Sequence, residues 1–460
     1  MSDPEMTSLP VLEADDKKTT VGNYFVSNYP PYSTWSTDHR SHALGLFDTP
    51  APPGTPLGLY IHIPFCRKRC NFCYFRVYTD KTRDEVTEYL DAVLEETRRY
   101  ARTQRIAGRK LKFVYFGGGT PSYLSEKQLS YLFNGLKDVL DWSEVEEVAF
   151  ECEPGTLSTR KLDRLKDLGV TRISLGIENF NDEVLELNNR AHRSKQVGSA
   201  YDWAKDAGFE QVNIDLIAGM LGETDENWQR NIDTLLQMRP EAVTVYQMEV
   251  PYNTKIYQAM KESGAEEAPV ADWGTKRRWV TQVYAALEEA GYDITSAYTA
   301  VRDAGIVKFI YRDALWAGAD MLAVGVSSFG YLNAPADASA GLAPGGGMHY
   351  QNQHDIVPYT SAVVGGEAPL FRALPIDREE AMIREWVLQL KIGRISRLPF
   401  IEKFGVDPFE KWADILQGYV DDGLIRIKGD ELFVPRQTLL RIDRLLYAFF
   451  KPEHQDVRYA

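Results

Sequence analysis

The stretch Tyr60-Ile-His-Ile-Pro-Phe-Cys66-Arg-Lys-Arg-Cys70-Asn-Phe-Cys73-Tyr74 decides the interpretation of this chain, because it gathers three of the four cysteines within eight positions. Thiolates are soft ligands that suit iron–sulfur clusters, and three of them on a four-iron cube leave one iron without a protein ligand. The spacing therefore predicts that Cys66, Cys70 and Cys73 hold a [4Fe-4S] cluster whose open iron is accessible to chemistry.

Two other uses of these cysteines stay open at this point. Three cysteines and His62 could form a closed Cys3His zinc site, although structural zinc usually pairs two separated knuckles of two ligands each. His62 could equally be a buried core histidine. A disulfide framework is disfavoured, because a chain of 460 residues with four cysteines and no secretory signal is expected to be reduced and cytoplasmic.

Composition argues for an intracellular enzyme. A chain of 460 residues can bury a large core, and no apolar stretch approaches the ~20 residues needed to span a bilayer. Its 52 basic and 66 acidic side chains give a net charge of −14, which repels nucleic acid and anionic membrane. We expect neither partner, and we expect a monomer.

The hydrophobic pattern predicts an α/β protein, because short β-branched runs alternate with amphipathic helical stretches. Strands are predicted near 58–64, 111–116, 146–153, 171–177, 211–217, 242–248 and 292–296. Helices are predicted near 83–103, 124–140, 158–168, 194–207, 225–238 and 271–290. Strand alternation places Tyr60 and His62 on one face of their strand. On another strand it places Glu151 and Glu153 on the face opposite Cys152. Cys152 is predicted to be a buried, inert thiol.

Further motifs follow the cysteine run along residues 56 to 332. They are Gly117-Gly118-Gly119-Thr120-Pro121, Phe150-Glu151-Cys152-Glu153-Pro154, Arg172-Ile-Ser-Leu-Gly-Ile-Glu178-Asn-Phe180, Asn189-Arg190, Asn213-Ile-Asp215-Leu-Ile and Val324-Gly-Val-Ser-Ser-Phe329-Gly330. With the cysteines, this series resembles the radical S-adenosylmethionine (SAM) superfamily, and within it the family of oxygen-independent coproporphyrinogen III oxidases (HemN). The resemblance implies an open, partial (β/α)6 barrel, with the cysteine loop and the glycine run at the C-terminal strand ends.

The resemblance also implies the cofactors. SAM would chelate the open iron, and an electron from a flavodoxin- or ferredoxin-type donor would drive its cleavage. The first SAM would contact Tyr60, Phe72, Gly118, Glu151 and Phe329, with Tyr60 grouped with the cysteines as catalytic. A second SAM would contact Gly119, Thr120, Glu178, Arg190, Asp215 and Met248, although each of these could instead serve a salt bridge or packing in the barrel.

For the reaction, the resemblance implies a tetrapyrrole substrate, with oxidative decarboxylation of coproporphyrinogen III as the leading activity. Two departures bear on this: Glu178 replaces a glutamine, and Phe75 stands where the oxidases carry an additional cysteine. Related methyltransferases that use two SAM molecules, including heme-opening enzymes, do not depend on that cysteine. The heme chaperone branch (HemW) carries a His-Asn-x-x-Tyr-Trp motif, whereas the corresponding stretch here, Tyr311-Arg-Asp-Ala-Leu-Trp316, lacks the histidine. Arg67, Arg69 and Arg76 are hypothesised to bind propionates.

Four segments are predicted. Residues 1–55 form a partly disordered N-terminal extension, residues 56–332 the radical SAM barrel, residues 333–376 a connector, and residues 377–460 a helical, winged-helix-like domain. Helices followed by two short strands define the last segment. Because the chain is acidic, we interpret that segment as a lid or substrate wall rather than a DNA-binding unit.

Overall fold

The computed structural model describes residues 25–265, 268–335, 337 and 341–455. The polar N-terminal stretch that is predicted to be disordered lies outside these ranges. Within them, the helices and strands alternate along the barrel as the sequence predicts, so the α/β assignment is confirmed.

One large sheet organises the described part of the chain. Its strands are β1 Leu57–Ile63, β2 Leu111–Gly118, β3 Glu147–Cys152, β4 Arg172–Glu178, β5 Gln211–Ala218, β6 Ala242–Gln247, β7 Asp293–Ser296, β8 Thr299–Val301, β9 Asp320–Val324, β10 Phe329–Asn333, β11 Gly347–Asn352 and β12 Leu370–Ile376. Their spatial order is β12-β11-β10-β9-β1-β2-β3-β4-β5-β6-β8-β7. The run from β9 to β6 is parallel, and the strands on either side of it are antiparallel.

The helices pack mainly on the outside of this sheet. They are α1 Arg40–Phe47, α2 Arg83–Ala101, α3 Glu126–Lys137, α4 Thr159–Asp167, α5 Asp182–Leu187, α6 Ser194–Asp206, α7 Asp225–Met238, α8 Lys255–Ser263, α9 Trp273–Glu289, α10 Ile310–Trp316, α11 Ile356–Val364, α12 Arg378–Leu390, α13 Leu398–Phe404, α14 Pro408–Lys411, α15 Ala413–Asp421, α16 Arg436–Leu439 and α17 Asp443–Leu446. Capping boxes start α2, α3 and α12, because a side chain at each N-cap and one three residues later satisfy each other's backbone N–H groups.

The predicted positions of β1 to β6 agree with the structure to within two residues. The segment near 292–296 is also a strand, but its expected place in the parallel barrel is wrong. That strand, β7, pairs with β8 as an antiparallel hairpin at the edge of the sheet. The seventh parallel strand is instead β9, which pairs directly with β1.

The segment expected to be a connector contributes strands β11 and β12 to the same sheet. Every residue of β11 is buried, but the sequence did not predict this strand because it contains polar residues such as Gln351 and Asn352. The side chains of these two residues are buried and hydrogen-bonded. Strands β13 Arg394–Ser396, β14 Arg426–Lys428 and β15 Glu431–Phe433 form a separate three-stranded sheet, one strand more than the predicted wing.

The C-terminal segment packs around its own apolar core, which includes Trp386, Phe400, Leu432 and Phe449. The apolar pattern of Leu440, Ile442, Leu445 and Phe449 predicts one last helix, but the structure has α16, α17 and a short 3-10 turn there instead. The N-terminal extension runs along this unit, where Tyr29 is fully buried against Phe450 with ring centroids 4.7 Å apart. Among the described helices, none is long and apolar enough to cross a membrane.

Candidate active site

A cavity of about 490 Å³ opens at the C-terminal ends of the parallel strands. Twelve of the fourteen predicted site residues line it, namely Cys66, Cys70, Phe72, Cys73, Gly118, Gly119, Thr120, Glu151, Glu178, Arg190, Asp215 and Met248. Tyr60 and Phe329 lie outside its lining. The sequence motifs, which are scattered over nearly two hundred residues, therefore converge on one place because parallel strands bring their C-terminal ends together.

The three thiols belong to a loop that leaves β1 and is closed by backbone hydrogen bonds. The Cys66 N–H donates to the Tyr78 carbonyl (3.0 Å), and the Tyr78 N–H donates to the Pro64 carbonyl (2.9 Å). Burial raises the pKa of Cys66 to about 12 and that of Cys73 to about 11. The thiolates that a cluster needs are therefore favoured only when a metal takes the place of the proton.

The glycine run lies directly against this loop. Gly118 has φ +111°, which side chains rarely tolerate. A Cβ on Gly119 would stand 2.9 Å from the Ile63 carbonyl oxygen and 3.1 Å from Cys66 Sγ. Only glycine at position 119 leaves the first thiol and the loop backbone in place.

Glu151 anchors the glycine run from the neighbouring strand. One carboxylate oxygen accepts from the Tyr115 hydroxyl (2.7 Å), and the other accepts from the Gly118 N–H (3.1 Å). Burial raises the pKa of Glu151 to about 7, the Tyr115 hydrogen bond lowers it, and the nearby Asp215 carboxyl raises it further. Glu151 is thus a buried polar side chain beside the glycine run that is predicted to bind SAM.

Glu178 and Arg190 form a buried ion pair with N–O distance 3.4 Å. Glu178 has φ +68°, a strained conformation for a residue with a side chain. Burial raises the pKa of Glu178 to about 7, and the Arg190 charge opposes that rise. Arg190 also donates to the Gly176 carbonyl and to Cys70 Sγ (3.2 Å).

Asp215 is held by two donors at the floor of the same pocket. It accepts from the Ser174 hydroxyl (2.7 Å) and the Asn213 amide (2.9 Å). Burial raises its pKa. Met248 supplies the apolar side of the pocket and packs near Phe72.

Tyr60 and His62 lie together below the glycine run. The Tyr60 hydroxyl is 3.2 Å from His62 Nδ1, and a Cβ on Gly118 would stand 2.5 Å from His62 Cε1. His62 is 2 % exposed, and burial lowers its pKa to about 4. This packing favours the core-histidine interpretation over a zinc ligand. In the parts of the chain that the structure describes, no group of three or more His, Cys, Asp or Glu side chains converges to hold a single metal ion.

Phe329 faces the N-terminal extension instead of the cavity. Its ring centroid is 4.7 Å from that of Tyr32 and 5.5 Å from that of Trp35. Cys152 is 4 % exposed within the main core, as predicted, and burial raises its pKa.

The three arginines suggested for propionates are already engaged. Arg67 donates to the Gly155 carbonyl (2.6 Å), and Arg69 donates to the Asn253 carbonyl (3.1 Å). Arg76 pairs with Asp355 (2.6 Å) away from the cavity lining. The propionate hypothesis for these arginines finds no support in their contacts.

The cavity has two walls. The cluster wall is formed by the cysteine loop and the ends of strands β2 to β5. The closing wall is formed by residues from other segments of the chain, namely Phe25, Glu249, Trp273, Arg277, Tyr298, Leu440, Arg441 and Asp443. Sequence reasoning missed the residues of the closing wall.

Long-range hydrogen bonds join the segments of the closing wall. The Phe25 N–H donates to Glu249, and the Val26 N–H donates to Asp443 (2.9 Å), which also accepts from the Tyr298 hydroxyl. Burial raises the pKa of Glu249 to about 7 and raises that of Asp443. Glu249 directly follows the predicted Met248, which is the one local signal that could have identified it.

Comparison with known proteins identifies relatives of this chain. Residues 60–235 match the sequence model of the radical SAM superfamily. The heme chaperone HemW of Haemophilus influenzae is 30% identical over 62% of this chain and 72% of its own length, and HemW of Bacillus subtilis is 28% identical over 85% and 98%. Oxygen-independent coproporphyrinogen III oxidase of Escherichia coli is 25% identical over 90% of each chain.

The solved structure of coproporphyrinogen III oxidase (HemN) from Escherichia coli is similar in fold. It superposes with a TM-score of 0.76 at 24% identity, covering 95% of this chain and 99% of that chain. The superfamily implies a [4Fe-4S] cluster and SAM, and the residues present fit them: three thiols share one loop, and Gly119 leaves open the space beside Cys66. The chain belongs to the radical SAM superfamily, in the HemN-like family that contains both the oxygen-independent coproporphyrinogen III oxidases and the heme chaperones HemW.

Proposed function

We propose that this protein is a radical SAM enzyme acting on a tetrapyrrole, with oxidative decarboxylation of coproporphyrinogen III as its leading reaction. One observation carries the proposal. The three thiols and all six residues suggested for a second SAM line the same cavity, whose closing wall contains residues from both ends of the described chain. A heme-carrying protein without SAM chemistry would not need that combination.

Cys66, Cys70 and Cys73 would hold the cluster. When bound, the cluster and SAM supply the oxidant that removes a hydrogen atom from the substrate. The remaining work belongs to this chain, which must orient SAM, hold the substrate carbon near it and keep water away.

The first SAM would lie against Phe72, Gly118 and Glu151. Each Glu151 oxygen already accepts one hydrogen bond, and a carboxylate oxygen can accept a second, so it can still receive a ribose hydroxyl. Phe72 offers an apolar surface on the same side. Tyr60 would act through His62 and the glycine run, because it lies outside the lining.

The second SAM would lie between Thr120, Glu178, Arg190, Asp215 and Met248. This set combines a cation, two carboxyls and an apolar thioether, which suits a ligand with a carboxylate, an amine and a sulfonium. Both carboxyl groups of this set, those of Glu178 and Asp215, have raised pKa values because they are buried. A cationic ligand would therefore favour their ionised forms.

The substrate would occupy the space toward the closing wall. Aromatic side chains of Tyr246, Trp273 and Tyr298 line it and suit a flat ring system. Arg441 also lines it, and its guanidinium suits a carboxylate of the substrate. The reaction removes a hydrogen atom from a propionate β-carbon. Carbon dioxide is then lost, one electron passes to an external one-electron acceptor, and a vinyl group remains.

The test is anaerobic turnover. Protein with a reconstituted cluster is mixed with SAM, reductant and coproporphyrinogen III, and products are followed by mass spectrometry. Vinyl-bearing product together with 5′-deoxyadenosine is the expected result. SAM consumption with unchanged coproporphyrinogen would overturn the decarboxylation.

Methyl transfer is a second candidate, and Phe75 favours it. This residue occupies the position of the additional cysteine of the oxidases, and its ring is 36% exposed with its centroid 6.3 Å from that of His62. A ring cannot exchange a hydrogen atom as a thiol can. In the same assay, S-adenosylhomocysteine and a methylated acceptor would identify this reaction.

The chaperone alternative has a distinct outcome in that assay. The stretch Tyr311–Trp316 lies within helix α10, and Tyr311 stacks on Tyr115 with ring centroids 4.3 Å apart. It carries no histidine for a heme iron. Stoichiometric heme retention without SAM turnover would nevertheless identify a chaperone. The proposal also includes a flavodoxin- or ferredoxin-type donor, a monomeric state and a cytoplasmic location.

A further inference from the structure

Two of the three loop thiols accept a side-chain hydrogen bond from outside the loop. The Thr120 hydroxyl donates to Cys66 Sγ (3.2 Å), and the Arg190 guanidinium donates to Cys70 Sγ (3.2 Å). The donors come from different parts of the barrel, one after β2 and one after α5. Both are residues that the proposed function assigns to the second SAM.

Arg190 is fixed in this position by its other contacts. It donates to the Gly176 carbonyl, pairs with Glu178 at 3.4 Å, and its side chain is 11% exposed. Thr120 is 8% exposed, and its carbonyl accepts from the Tyr123 N–H (2.9 Å). Arg190 cannot leave Cys70 without breaking these buried contacts, and the backbone of Thr120 is held beside Cys66.

Hydrogen bonds to cluster sulfurs and nearby charges set the reduction potential of an iron–sulfur cluster. Reduction adds negative charge, which a buried guanidinium stabilises more than a neutral hydroxyl does. Removing the guanidinium should therefore lower the potential. Removing the Glu178 carboxylate, which opposes the Arg190 charge, should raise it.

We propose that Thr120 and Arg190 are positioning residues that raise the reduction potential of the cluster and couple it to the second SAM site. This inference rests on the proposed second site. A ligand carboxylate that draws Arg190 away from Cys70 would lower the potential. By thermodynamic reciprocity, reduction of the cluster would then weaken binding of that ligand by the same factor.

The test is a redox titration of the reconstituted cluster, followed by electron paramagnetic resonance, without SAM or substrate. The variants are Arg190→Gln, Thr120→Val and Glu178→Gln. Arg190→Gln should shift the reduction equilibrium at least tenfold toward the oxidised cluster, roughly 59 mV for one electron. Thr120→Val should shift it in the same direction by less, and Glu178→Gln should shift it the opposite way.

Arg394→Gln is the matched control, because it removes the same charge from an exposed side chain that pairs with Glu431 in the separate three-stranded sheet. It should leave the midpoint potential unchanged. If Arg190→Gln does not assemble a cluster, Glu178→Gln still tests the sign. Equal midpoints for wild type, Glu178→Gln and, where its cluster assembles, Arg190→Gln would overturn the inference.

The coupling has its own readout. Adding excess S-adenosylhomocysteine, which carries the same carboxylate but no sulfonium bond to cleave, should lower the midpoint of the wild-type protein by more than that of Arg190→Gln. An equal effect of S-adenosylhomocysteine in both proteins would overturn the coupling while leaving the influence of Arg190 and Thr120 on the potential intact. Because neither titration involves turnover, failure here is distinguishable from failure of the proposed reaction.

Discussion

The two walls of the cavity differ in how the chain supplies them. The cluster wall comes from short motifs at the ends of consecutive parallel strands, and its thiols lie within eight positions of one another. The closing wall depends on contacts such as that between Val26 and Asp443, which are 417 positions apart. The residues proposed for the chemistry therefore lie in short sequence motifs, whereas the residues that enclose the substrate space are brought together by contacts between distant parts of the chain.

The largest effect is expected from replacing Cys66, the first thiol of the cluster wall. Cys66→Ser should abolish cluster assembly and SAM cleavage, because a serine oxygen is a hard ligand that suits iron–sulfur clusters poorly. Iron and sulfide content and 5′-deoxyadenosine production measure this. Cys152→Ser is the control: it lies in the core and should retain the cluster. A Cys66→Ser protein with full cluster and SAM cleavage would contradict the assignment of this site.

The next effect tests the close approach of the glycine run. Gly119→Ala should impair cluster assembly severely, because its Cβ would stand 2.9 Å from backbone atoms of Ile63 and Pro64, which cannot turn aside. Absorbance of the reconstituted cluster measures the loss. Gly198→Ala is the matched control in helix α6, where a Cβ meets nothing within 4 Å. It should stabilise the fold by about 0.5 to 1 kcal/mol. Equal cluster content in both variants would refute the steric argument.

A third change removes hydrogen bonds within the closing wall. Asp443→Ala removes the acceptor for the Val26 N–H and the Tyr298 hydroxyl. The free energy of unfolding in urea should fall by about 2 to 4 kcal/mol, since buried donors lose their partner. Cluster content should not change. Asp421→Ala, at an exposed position, is the control and should alter the free energy of unfolding by less than about 0.5 kcal/mol. Similar losses in the two variants would contradict the claim that Asp443 stabilises the closing wall.

The smallest effect is a pH dependence beside the closing wall, at a lysine that contacts Val26. Lys391 is fully buried and donates to the Val26 carbonyl (2.6 Å), and burial lowers its pKa to about 7. Between that value and the ordinary lysine pKa, the unfolded chain binds more protons than the folded one, so stability should rise with pH. Urea unfolding at about pH 7 and about pH 9 should show a smaller rise in Lys391→Met than in wild type. Identical slopes would contradict this titration.

The difference between the walls also explains how far the sequence could predict the structure. Short β-branched runs located β1 to β6, and the family motifs identified twelve of the residues that line the cavity. The edge strand β7 was misplaced because apolar periodicity does not reveal strand direction. Asp443 was missed because an isolated aspartate in a helical pattern gives no local sign of the partner it accepts from. The orientation of Phe329 toward Tyr32 and Trp35 likewise depends on docking of the N-terminal extension.

The most direct test of the central claim uses coproporphyrinogen III deuterated at the propionate β-carbons. If the cluster wall holds SAM and the closing wall holds this substrate, deuterium should appear in 5′-deoxyadenosine in step with the vinyl product. Deuterium-free 5′-deoxyadenosine together with intact labelled porphyrinogen would contradict the account.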